Sequence, residues 1–232
     1  MEIQLETIIS QNRSFSMMFN PRLNDLFYWH FHPEYELVYI EALTGTRHIG
    51  EHISTYKGND LVLIGSNIPH LNFDYGIQTD YRKVVIHLKK KFVETHFRAI
   101  PELAPIAQLF DKSSHGLAFN DEIKERLGER LFQLERLNPF QQYLRLLEVL
   151  QVLAQINDFS LLHEQPYQHK FSEREQGRLR TIYNYVDQHC HQKIELEEVA
   201  KISNMSKEAF CRYFKKVSNY TFIEFLNRYR IK

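Results

Sequence analysis

The chain has 232 residues, 43% of them hydrophobic, and its 29 Lys and Arg balance 29 Asp and Glu. This composition, with 17 Phe and 13 Tyr, suits one large domain or two ordinary ones with a sizeable core, and excludes a disordered polymer. No apolar run approaches the ~20 residues that span a bilayer. The acidic start Met1-Glu-Ile-Gln-Leu-Glu lacks the parts of a signal peptide, so a cytoplasmic protein with no membrane partner is expected.

Residues 1 to about 88 read mainly as strands. Phe27-Tyr-Trp-His, Glu36 to Ile40, Thr46 to Ile49, Leu61 to Ile64 and Tyr81 to Leu88 are short runs rich in aromatic and β-branched residues. Pro21, Asn24-Asp25, Gly45, Gly58, Gly65-Ser-Asn67, Pro69 and Gly76 read as turns between them. Many short strands at this spacing predict a sandwich or small barrel.

One of these runs carries chemistry. In His30-Phe-His32-Pro-Glu-Tyr-Glu36, even positions share a strand face, so His30, His32 and Glu36 are expected to point into one cavity. His70 follows the turn at Gly65 to Pro69. Three imidazoles and a carboxylate suit a divalent metal such as Zn, Ni, Fe or Mn. The same groups also suit contacts to an organic effector or a satisfied polar core. His48, His52 and His87 read as structural or surface residues, and Trp29 and Tyr39 as aromatics able to stack on a ligand. From Trp29 to about Asn72 the pattern resembles the cupins, with Ile64-Gly65-Ser66 where a Pro-x-Gly is usual. That resemblance implies a double-stranded β-helix, a cupin-like β-barrel.

From Lys89 the period becomes helical, through Phe92, His96 and Phe97, then Leu103 to Phe110, then Ile123, Leu127, Leu131 and Leu134. A longer helix opens at Pro139, where the first turn needs no N–H partner, and runs to Ile156. It is apolar over more than one face. It is therefore either buried under the barrel or, with its neighbours in 121–157, the interface of a homodimer. Residues 1–157 thus form the expected effector-binding and dimerisation domain, and 158–171, with Pro166 and no clear period, a linker.

Ser172-Glu-Arg-Glu175 is a capping box that starts a helix carrying Leu179, Ile182, Tyr183 and Val186 on one face. Next comes a short helix from Leu196 to Ile202 whose Ala200 lets a second helix cross closely. Ser203-Asn204 suit the turn, and Ser206 is the N-cap of the second helix. There Phe210, Phe214 and Val217 face inward, leaving Lys207, Glu208, Cys211, Arg212, Lys215 and Lys216 outside. This is the layout of a helix-turn-helix whose second helix enters the DNA major groove. Arg212 suits guanine, Glu208 cytosine and Cys211 a small apolar contact, while Lys215, Lys216 and Lys207 suit phosphates. Thr221-Phe-Ile-Glu224 caps a following helix that turns Phe222, Phe225, Leu226 and Tyr229 inward. Cys190 and Cys211 read as ordinary helix residues, not a disulfide or zinc framework. From Phe171 onward there are 12 Lys and Arg against 8 Asp and Glu, while the rest has 17 against 21, so the C-terminal part is basic and the remainder acidic.

Glu195 to Ala200, Asn204-Met-Ser206, Arg212 to Lys216 and Phe225 to Ile231 resemble the AraC/XylS family of bacterial transcription regulators over about 182–231. The resemblance implies that Glu208, Cys211 and Arg212 face bases, and that a cupin-like sensor domain precedes the helices. It also implies a second helix-turn-helix unit, so 172–232 is expected to be an incomplete DNA-binding domain. Asn219 stands where the family usually has Gly.

The sequence thus predicts an α+β chain: an N-terminal cupin-like barrel with following helices, then an all-α helix-turn-helix. The expected function is a non-enzymatic transcription regulator that binds double-stranded DNA and responds to a small-molecule effector. The alternatives are a metal-dependent cupin enzyme, such as a dioxygenase or isomerase, and a regulator that senses the metal itself.

Overall fold

The structure is a computed structural model that describes residues 4–6, 8, 13–22, 29–167, 177–178, 181–182, 185–186, 189, 192–218 and 221–230. Asn24-Asp25, Phe27, the Ser172–Glu175 box, Leu179, Tyr183, Cys190, Asn219 and Ile231 lie outside the described residues. The strands are β1 Gln4–Leu5, β2 Phe15–Phe19, β3 His30–Phe31, β4 Tyr35–Ile49, β5 His52–Ile64, β6 Tyr81–Leu88, β7 Leu117–Phe119 and β8 Phe159–Leu161. The α-helices are α1 Lys90–Phe92, α2 Ala104–Lys112, α3 Asp121–Gln133, α4 Pro139–Gln155, α5 Leu196–Ile202, α6 Lys207–Ser218 and α7 Phe222–Arg230. The chain divides into two compact units: Met1–Thr7, Trp29–Phe31 and His169–Lys232 form the first, and Ile8–Tyr28 with His32–Gln168 the second.

The second unit is built on a six-stranded antiparallel sheet of order β2-β6-β4-β5-β7-β8. Alternation sorts its side chains onto two buried faces. Leu37, Tyr39, Leu61, Leu63, Val84 and Ile86 pack with Ile106, Phe110, Leu127, Leu131, Val149 and Leu153 of α2, α3 and α4. Val38, Ile40, Val62, Ile64 and Val85 face the other way, where Ile68, Phe73 and Ile77 of the 65–80 segment cover them. Burial on both faces explains why β4 to β6 read as near-continuous apolar runs. It also places Tyr39 on the helix side, where it packs with the helices instead of stacking on a ligand inside the sheet.

Glu36–Ile40 and Thr46–Ile49, expected as separate strands, belong to one 15-residue strand. Gly45 is therefore not a turn residue. It lies across from Tyr56, and a Cβ there would sit 2.1 Å from the Tyr56 hydroxyl oxygen. Glycine makes room for that buried ring, whose hydroxyl donates to the Phe73 carbonyl at 2.9 Å. Gly58 is also inside a strand. It adopts φ +75 opposite Ala42, where the β4–β5 register shifts and Leu43 is the extra, exposed residue of a bulge. The short strands β7 and β8 were not expected. Residues 159–161 pair with β7 at the sheet edge, although the sequence places them in a linker.

Helix α4 has the expected Pro at its start, with a capping box formed by Asn138 and Gln141. It buries Leu146, Val149, Leu150 and Leu153, at i, i+3, i+4 and i+7, and leaves Phe140 and Leu144 exposed. The first unit is mainly helical, with β1 and β3 paired in parallel. Its core is Phe31, Ile182, Val186, Ile194, Val199, Ala200, Phe210, Phe214, Phe222, Phe225 and Leu226. An antiparallel sheet of cupin-like type with its helices, and a helical C-terminal unit, together make the α+β fold that the sequence predicts.

Candidate recognition helix and buried histidine cluster

Helix α5 ends in a Schellman motif. Asn204 adopts φ 53, its N–H donates to the Lys201 carbonyl at 3.0 Å, and the Met205 N–H reaches back to the Ala200 carbonyl at 2.9 Å. Asn tolerates this left-handed conformation better than most residues, which explains why the chain can reverse here without glycine. The reversal feeds directly into Ser206, whose hydroxyl accepts the Ala209 N–H at 3.2 Å and caps α6. Ala200 and Val199 are buried between the helices, so the small side chain expected at the crossing is there.

Behind α6 the rings of Phe210, Phe214, Phe222 and Phe225 pack at centroid separations of 5.3 to 6.2 Å. This aromatic block fixes which side of α6 faces out. Glu208, Arg212, Lys215 and Lys216 are exposed. Cys211 is only half-buried and packs partly on the core. Lys207 differs from the expectation of a free phosphate contact, since its ammonium lies 2.5 Å from the Glu197 carboxylate on α5. Backbone and Ser206 hydrogen bonds, helped by Lys207 and Arg212, hold the Glu208 carboxyl below its ordinary range, so it stays an acceptor. Thr221 and Glu224 exchange the two hydrogen bonds of the capping box that opens α7.

In the second unit the β4–β6 register sets Glu36 directly across from His87. His32 precedes β4, and His70 follows the loop that bridges to Ile49. All four side chains are buried. Three imidazole Nε2 atoms converge on Glu36 Oε2, from His32 at 2.8 Å, His87 at 2.9 Å and His70 at 3.2 Å. His70 Nδ1 lies 2.8 Å from the Ile68 carbonyl, which can only accept, so the proton of a neutral His70 sits on Nδ1. Its Nε2 lone pair then faces the carboxylate. His87 Nδ1 is buried with no hydrogen-bond partner among the described residues.

Burial pushes the Glu36 carboxyl up, but the charges of His70 and His87 and the hydrogen bonds from His32 and His70 outweigh it and hold it well below the usual range. Burial lowers His32, against the opposing pull of Glu36. These two shifts disagree about how much positive charge the cluster holds. The lowering of His32 is the firmer direction, because a fully buried imidazolium beside two more imidazoles is the costlier state.

The ligand atoms of His32, Glu36 and His70 lie within 4.8 Å of one another, so these three expected residues do come together. His30 belongs to the first unit, where its Nε2 lies 3.1 Å from a Glu6 carboxylate oxygen. His87 is the member that sequence reasoning missed. Its position on the same β6 face as Val85 was readable from alternation, but only the strand register sets it against Glu36.

Helix pair, capped turn and basic outer face have the layout of the helix-turn-helix DNA-binding proteins, and the sequence motif resembles the AraC type. No protein-family model matches the chain. Over 77 residues it is 32% identical to the "Uncharacterized HTH-type transcriptional regulator YdeC" of Bacillus subtilis, a stretch covering 33% of this chain and 25% of that protein. The match thus spans a quarter of the relative's length. Apo ToxT from Vibrio cholerae aligns over 93% of this chain and 98% of its own, at 14% identity and TM-score 0.49. ToxT with a bound unsaturated fatty acid aligns over 94% and 97%, at 15% identity and TM-score 0.46. The AraC-like transcriptional activator CuxR aligns over 86% and 66%, at 7% identity and TM-score 0.35. No helix among the described residues is long and apolar enough to cross a membrane.

Proposed function

We propose that the chain is a ligand-responsive transcription regulator. It binds duplex DNA through α6 and senses a small molecule or ion in its second unit. The observation that carries this reading is the exposed cationic side of α6, held outward by four buried phenylalanines. Glu208, Cys211 and Arg212 meet base edges in the major groove, and Lys215 and Lys216, with Lys207 once it leaves Glu197, meet phosphates. An effector that favours one arrangement of the chain over another then shifts the DNA-competent population. The regulator acts in the cytoplasm, and α4 joins two copies through Phe140 and Leu144. Fluorescence anisotropy on a selected duplex tests the interface. Arg212→Ala is expected to weaken binding by about 1–3 kcal/mol and relax one base position, whereas Lys215→Ala lowers the salt slope by about one. Binding indifferent to salt and to both variants refutes the reading.

The His–Glu cluster favours a second reading, in which a divalent metal is the sensed species. His32, Glu36, His70 and His87 would hold it, and the ion would supply positive charge where three imidazole nitrogens now converge on a carboxylate. The ligand atoms of His32, Glu36 and His70 lie within 4.8 Å of one another, and His87 Nε2 lies 2.9 Å from the Glu36 carboxylate, so the donor set is gathered in one place. Metal analysis of the purified chain and of His70→Ala separates the readings. A stoichiometric ion lost in the variant supports the metal, and none in either supports an organic effector. The curated relative is named an HTH-type transcriptional regulator, which favours a regulator over an enzyme.

A further inference from the structure

We propose that Glu197 is a specificity-determining residue: it withholds Lys207 from the phosphates of a mismatched duplex and releases it when α6 is fully seated in the groove. This inference rests on the DNA-binding reading above and concerns how that face is regulated. Glu197 stands in the first turn of α5, and Lys207 is the first residue of α6. The reversal at Asn204 sets these two turns side by side, and the Lys207 ammonium lies 2.5 Å from Glu197 Oε1. Among the described residues Lys207 is the one cation of α6 in an ion pair. The neighbouring Glu198 accepts from the Tyr185 hydroxyl at 3.1 Å instead, so the two acids at the start of α5 have different work. Both members of the Glu197–Lys207 pair are exposed, which makes it weak, and a phosphate in the right place can displace the carboxylate. Its position matters more than its strength, because the N-terminal part of the second helix is the end that reaches into the groove. A complex held by phosphates alone stays shallow. There Arg212 gains no base, Lys207 keeps its carboxylate, and one counterion-releasing contact is missing. When the bases match, α6 seats deeply, a phosphate reaches Lys207, and one charge-assisted contact replaces another.

Fluorescence anisotropy on the full chain, across a salt series, compares a duplex selected from a random pool with a scrambled duplex of the same length. Glu197→Gln is expected to bind the scrambled duplex at least about threefold more tightly at about 0.1 M salt, and to steepen its salt slope by about 0.9, the value of one added phosphate contact. Affinity for the selected duplex is expected to rise less, so that the ratio of the two falls at least about twofold. Glu197→Gln/Lys207→Gln is expected to lose the whole gain. Glu198→Gln makes the same change in net charge one residue along without releasing a lysine, and is expected to gain clearly less. Circular dichroism checks that each variant keeps the wild-type helix, and Glu197→Ala repeats the test with a second uncharged side chain. Unchanged scrambled-duplex binding in both Glu197 variants, a gain that survives Lys207→Gln, or an equal gain in Glu198→Gln overturns the proposal and leaves α6 as the DNA-binding helix. So does an equal gain on both duplexes, which makes Glu197 a damper of affinity and not of choice. A wild-type chain that binds neither duplex at any salt overturns the DNA-binding reading itself, and this inference with it.

Discussion

Glu36→Gln is the most informative single substitution. The amide keeps the volume and removes the charge on which three buried imidazoles converge, at 2.8, 2.9 and 3.2 Å. Each hydrogen bond to a charged group contributes about 1.5–3 kcal/mol, but contacts that share one oxygen are not additive. Removing one partner of a buried ionic group costs about 3–5 kcal/mol, and that range is the expectation here. With a urea m-value of about 2 kcal/mol/M, the midpoint falls by about 2 M. Far-UV circular dichroism reports both units, whereas fluorescence of Trp29, the chain's single tryptophan, reports the first, so a dichroism change that the fluorescence does not share belongs to the second. The dichroism transition is expected to move and the fluorescence transition to stay. A shift below about 1 kcal/mol would show that the cluster is not a stabilising ionic centre, and would sink the electrostatic account of Glu36.

Further outcomes follow from the same geometry. Because Glu36 titrates below its ordinary value when folded, its contribution is present above pH 4.5 and lost as pH falls through the folded value. His32, also lowered, loses stability as pH drops below 6.5, so both push stability down on the acid side, and Glu36→Gln is expected to flatten the lower part of that curve in pH-dependent melts. Gly45→Ala drives a Cβ to within 2.1 Å of the Tyr56 hydroxyl oxygen, so the ring must shift, with a loss of about 1–3 kcal/mol in the dichroism transition. Ala200→Leu overpacks the helix crossing and is expected to lower the tryptophan transition by about 1–3 kcal/mol and weaken DNA binding, both readable in one preparation.

The helix-turn-helix was readable almost residue by residue because its signals are local. Caps act over three residues and buried stripes over three or four, so Ser206, Thr221–Glu224, Phe210 and Phe214 announce themselves without any knowledge of the rest of the chain. The barrel was readable as strands but not as a register. Gly45 and Gly58 look like turns in isolation, and only the β4–β5 pairing turns one into space for Tyr56 and the other into a bulge partner. Strands β7 and β8, at three residues each, carry too little pattern to stand out among helices.

The amino-acid order alone determined the α+β class, the outward cations of α6 and the nearness of His32 to Glu36, because each rests on short-range periodicity or spacing, whereas His70 was expected there only from its place after the Gly65 to Pro69 turn. Folding decided the remainder. It brought His87 opposite Glu36 across two strands 51 positions apart and tied Lys207 to Glu197. Contacts of that kind depend on which strands pair and in what alignment. That choice is settled by burial over the whole sheet, not by any neighbouring residues in the chain.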